Sequence, residues 1–168
     1  ANAGDLEAQL LLQASRWPAA DIDREVRPLL NAVLADVVAG ADPGLLVGIG
    51  RIPAMESGPD LGRLASWYRL QQTSGEPNAA VNQRALWTLV ACDLGMDCGA
   101  SSPTLDRLCV LQGLCGYPDV EAALRDGVIR RVEAAETEAR RHWAVERIRS
   151  GQIAGMFDPA PQPRGDGP

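Results

Sequence analysis

All four cysteines of this chain fall between residues 92 and 115, in "CDLGMDCGASSPTLDRLCVLQGLC", and no other feature narrows the possible folds as much. Five residues separate Cys92 from Cys98, ten separate Cys98 from Cys109, and five separate Cys109 from Cys115. Within a continuous helix, residues six apart lie about 9 Å apart along the axis. A disulfide spans only roughly 4.4 to 6.8 Å between Cα atoms. Each pair, however, encloses a glycine, Gly95 in one and Gly113 in the other. A glycine permits the left-handed turn that ends a helix and folds the chain back. Local pairing, Cys92 with Cys98 and Cys109 with Cys115, is therefore favoured and would clip the ends of two successive helices. A nested pairing, Cys92 with Cys115 and Cys98 with Cys109, is the rival, and spacing alone does not decide between them.

Other uses of the thiols fit the spacing less well. Structural zinc sites present ligand pairs two to four residues apart so that a tight knuckle turns both thiolates inward. No C-x-x-C pair is available to lower a thiol pKa. The cysteines read as structural crosslinks, with no metal and no cofactor expected. Their even number and clustering point to an oxidising compartment, periplasmic or extracellular. The opening "ANA" reads as the tail of a cleaved A-x-A signal site or as a remnant of cloning.

With 168 residues, 46% hydrophobic and 23% charged, the chain has the mix of a soluble globular protein. It is long enough to bury a core without help from crosslinks. No apolar run approaches the roughly 20 residues of a membrane span. Net charge is −6 and the sixteen basic residues, all arginine, are scattered among acids. Nucleic acid and anionic lipid are accordingly poor partners.

Helical periodicity recurs along the chain, and no convincing strand alternation appears. "GDLEAQLLLQASRWP" reads as a helix capped by Asp5 and stopped at Trp17-Pro18. Ile22, Val26, Leu29, Leu30, Val33, Leu34, Val37 and Val38 form one broad stripe ended by Gly40. Pro28 interrupts that stripe, so either the helix kinks there or it begins there. A short helical turn is expected after Asp42-Pro43, a third long helix from near Ser57 or Pro59 to Gly75, and a fourth that begins after Pro77 and ends around Gly95. Ser102-Pro103 opens a fifth through Leu105, Leu108 and Leu111 to Gly113, and residues 118–126 make a sixth. The charged segment from Val128 to Gly151 has a narrow apolar line, Val128, Val132, Ala135, Ala139 and Trp143, and i,i+4 pairs such as Glu136 with Arg140. It should lie on the surface of the core. Trp67 stands eight before Gly75 and Trp87 eight before Gly95, a faint echo of stacked helical hairpins. The expectation is an all-α protein of six to eight helices in an irregular or solenoid-like bundle with two disulfides. It forms one domain over residues 1–157, followed by a disordered Pro/Gly-rich tail, 158–168.

Candidates for chemistry are few. His142 is the only histidine, and it sits among arginines and glutamates with no nucleophile nearby in sequence, so it reads as a surface residue and not as a catalytic base. Glu56-Ser57 superficially resembles the Glu-Ser pair of lytic transglycosylases, in which a glutamate of raised pKa protonates a glycosidic oxygen. The glycine-rich and aromatic groove motifs of that family are missing, and Ser57 reads as a helix cap. "GLLVGIG" lacks the lysine and Ser/Thr of a phosphate-binding loop. Trp67, Trp87 and Trp143 lie on or beside apolar stripes and read as core.

The segment "LWTLVACDLGMDCGASSPTLDRLCVLQGLCGYPDVEAALRDG" resembles a stretch of uncharacterised secreted helical proteins of Xanthomonas-type gammaproteobacteria. The shared pattern is a helix ending "ACxxGxDC", a spacer, "LCxxxGxC" and a short acidic helix. The resemblance covers about the last half of the chain and implies an exported helical protein with oxidised cysteines, without implying an activity. The leading expectation is an exported module that binds another protein, such as an envelope component or a secreted effector. The alternative is a cell-wall glycan hydrolase using Glu56.

Overall fold

The computed structural model describes residues 8–9, 26–51 and 82–157. Its elements are α1 (Arg27–Val38), α2 (Leu45–Ile49), α3 (Gln83–Asp93), α4 (Pro103–Gln112), α5 (Val120–Gly127) and α6 (Arg131–Arg149). No strand occurs among the described residues, and the all-α expectation holds. The helix expected from residue 57 to 75, the Trp67–Gly75 half of the echo and the tail 158–168 lie outside the described residues. So does the helix expected at the N-terminus, apart from Ala8 and Gln9, which are helical.

Pro28 stands in the first turn of α1, where its missing N–H has no intrahelical acceptor to lose. Leu30, Val33, Leu34 and Val37 then share one buried face. Beyond it, the Asp42 carboxylate accepts the Gly44 N–H at 2.8 Å and the chain enters α2. That helix runs into Gly50, where a side chain would not fit. A Cβ there would lie 2.7 Å from the Gln83 carbonyl oxygen and 2.9 Å from Arg84 Cα. Its absence lets the end of α2 seat on the start of α3. The Asn82 side chain accepts the Ala85 N–H at 3.0 Å and fixes the N-terminus of α3.

Residues 85–91 of α3 are buried on every side, as befits a helix shared by two clusters. Leu86, Trp87, Val90 and Ala91 belong to a main core with α1, α2, the second half of α6, and Met156 and Phe157. On the opposite side, Ala85 and Leu89 meet Leu105 and Leu108 of α4 and Val120, Ala123 and Leu124 of α5. The Trp87 and Phe157 rings lie 5.9 Å apart between centroids, and burying a phenylalanine alone contributes about 2 kcal/mol. No helical periodicity marks Met156 or Phe157, which reach the core from a turn after α6.

Both disulfides are local. Past the end of α3, Gly95 takes a φ of 111°, the Gly95 N–H donates to the Cys92 carbonyl at 3.1 Å and the Met96 N–H to the Ala91 carbonyl at 2.9 Å. This glycine-terminated turn returns Cys98 to a Cα distance of 5.7 Å from Cys92, to which it is bonded. The device repeats after α4. Gly113 has φ 72°, its N–H donates to the Cys109 carbonyl at 3.0 Å, and Cys115 is joined to Cys109. The nested alternative is not adopted.

α6 departs from the sequence-based expectation. Val132 is 70% exposed and Ala135 is exposed, so the anticipated apolar line is not the inward face. The buried residues are Glu133, Glu136, Thr137, Arg141, Ala144, Val145 and Ile148. They recur at helical spacing, but their first half is polar. Ion pairing makes this tolerable: Glu133 accepts from Arg130, and Glu136 from Arg140 at 2.6 Å. The Glu136–Arg140 pair is the one the sequence suggests, but it is buried on the inward side of the helix.

Candidate interaction surface

Three helices meet at one guanidinium. Arg141, in the middle of α6, has only 8% of its side chain exposed. It donates from Nε and Nη2 to the two oxygens of Asp93, at 2.6 and 2.8 Å. It also donates from Nη1 and Nη2 to the two oxygens of Glu121, at 3.2 and 3.1 Å. Asp93 is the last residue of α3, inside the Cys92–Cys98 loop, and Glu121 lies in the first turn of α5. Hydrogen bonds from Arg141 hold both carboxyls below their ordinary range, against the opposite push of burial. Arg141 is correspondingly held more firmly protonated, chiefly by Asp93. Carboxylates fixed in this way are poor proton donors, so this cluster is a clasp between helices and not an acid–base site.

A different surface is open. Between the start of α3, α4 and the end of α5 lies a half-open groove of about 700 Å³. Ala85, Leu108 and Leu124 are buried at its base, and Leu111 and Val128 extend the apolar wall. Leu111 was expected on the inward stripe of its helix, yet it is 72% exposed, and the adjacent Val110 is 80% exposed. The stripe ends at Leu108 because no described element covers the last turn of α4. Three arginines also line the groove, Arg51, Arg84 and Arg107, and no carboxylate does so among the described residues.

The residues singled out from sequence do not assemble around this groove. The four cysteines are consumed in crosslinks. His142 is exposed on α6, its Nε2 lying 3.3 Å from the Glu138 carboxylate, and no described nucleophile is paired with it. Glu56 and Ser57 lie outside the described residues. "GLLVGIG" is α2 with its flanking turns, and its leucines are core. Sequence reasoning missed the groove itself, and its one available signal was an apolar pair, Val110-Leu111, at the end of a helix with Arg107 one turn before it. No described helix is long and apolar enough to cross a membrane. The chain matches no protein-family model, no curated protein and no solved structure.

Proposed function

We propose that this is an exported helical protein that binds another protein, and that the groove beside α4 is its contact surface. The observation that carries the reading is the exposure of Leu111 in the wall of an apolar groove, with its chain neighbour Val110 exposed as well. Apolar side chains displayed together, continuous with a concavity, mark surfaces that are covered in use. Export is supported by the two disulfides, which persist in oxidising compartments. The resemblance of the sequence pattern to secreted four-cysteine proteins implies the same location.

The test is a pull-down from an envelope or secreted fraction with the wild-type protein and with the double variant Val110→Glu/Leu111→Glu. A partner enriched by the wild type and lost with the double variant is the expected result. Equal enrichment by both, or none by either, would remove the groove from consideration.

A further inference from the structure

Resting on that reading, we infer that the groove takes an acidic, amphipathic peptide segment of its partner, whose apolar side chains seat on Leu108, Leu111 and Leu124 and whose carboxylates meet Arg107. The argument begins with charge. The chain as a whole carries −6, yet the groove is lined by three arginines and by no described carboxylate. An unpaired guanidinium in such a lining selects ligands by sign.

The three arginines contribute unequally. Arg51 and Arg84 already have partners of their own, so neither is the group left to meet a ligand. Arg107 makes no ion pair among the described residues and is exposed. It is the guanidinium placed to bind a carboxylate, with the bidentate fork that suits that group.

Shape decides between a small anion and a peptide. A cavity of about 700 Å³ would hold a small ligand, but it is half open, and Leu111 in its wall is 72% exposed. A small molecule at the base would leave most of that side chain wet. A helix or extended segment with apolar residues on one side and acids on the other covers the base, the exposed leucine and the arginine together.

The experiment pans the full-length, oxidised protein against a phage library of random peptides, with Arg107→Glu and Leu111→Glu as counter-targets. Enriched sequences should be net acidic with apolar residues at regular spacing. They should bind Arg107→Glu at least about tenfold more weakly, the scale of one charge-assisted contact, and weaken between about 50 and about 300 mM salt. Neutral or basic sequences, indifference to Arg107→Glu, or no enrichment at all would overturn the inference. A dimer seen by sedimentation and abolished by Leu111→Glu would also overturn it, by showing that a second copy fills the groove. Arg107→Gln, with an unchanged melting temperature, guards against misfolding of the reversed-charge variant. A partner captured through Leu111 that is basic, or that binds Arg107→Glu equally, would refute the acidic ligand and leave the protein-binding reading standing. Loss of the Leu111 effect in both assays would end both.

Discussion

The two disulfides close loops of equal length around the same kind of glycine turn, yet their surroundings differ. Chain entropy alone assigns each about 2 kcal/mol, since that contribution depends only on loop size. Cys92 and Cys98 pack against the smaller core. The Cys98 carbonyl accepts the Val120 N–H that opens α5, at 3.0 Å, and Asp93 within the same loop is gripped by Arg141. Arg149 adds a hydrogen bond to the Asp93 carbonyl at 2.6 Å. Cys109 and Cys115 have no such company, and Cys115 is exposed. Sequence spacing specifies a crosslink, but only the contacts around it decide whether it holds a junction between helices or merely finishes one helix.

That contrast can be broken most severely at Arg141. Arg141→Ala leaves two carboxylates facing each other without their cation and should cost about 3 kcal/mol in urea unfolding, with Arg141→Met recovering part of the loss. Acid should act on the same clasp. Asp93 and Glu121 have folded pKa values below their unfolded ones, so they bind fewer protons when folded. Their contribution is fully present above about pH 4.5 and is lost as pH falls through the folded values. Stability measured from about pH 5 to about pH 3 should fall less steeply in Arg141→Met than in the wild type.

Removing the inner clip with Cys92→Ala/Cys98→Ala should cost about 2 to 3 kcal/mol, because loss of the crosslink also loosens the α3–α5 junction. Removing the outer clip with Cys109→Ala/Cys115→Ala should cost about 1 to 2 kcal/mol. Equal losses would show that surroundings add nothing to loop closure. The smallest effect belongs to Leu111→Glu, which should change stability by less than about 0.5 kcal/mol, since an exposed side chain contributes little to the fold.

What could be read from the sequence followed from local rules. The clips were legible because each glycine sits between its two cysteines. The start of α4 was legible because Ser102 precedes Pro103, and Ser102 does cap, accepting the Leu105 N–H at 3.1 Å. The inward face of α6 was not legible. Hydropathy favours Val132 over Glu133, and the reverse holds because Glu133 is ion-paired. Similarly, Arg141 acquires its role from carboxylates 48 and 20 residues away, a separation that no periodicity reports. The groove depends on which helices fail to cover Leu111, which is a property of three elements at once. Glu56 lies outside the described residues, and the Glu-Ser pair remains a feature of the sequence alone.

The most direct measurement is graded reduction with differential alkylation, read by peptide mass spectrometry on the folded protein. Cys109 and Cys115 should acquire the first label together, while Cys92 and Cys98 remain joined until more reductant is added. First labelling of Cys92 and Cys98, or a peptide linking Cys92 to Cys115 or Cys98 to Cys109, would contradict the distinction between a clip locked into a helix junction and one left at the surface.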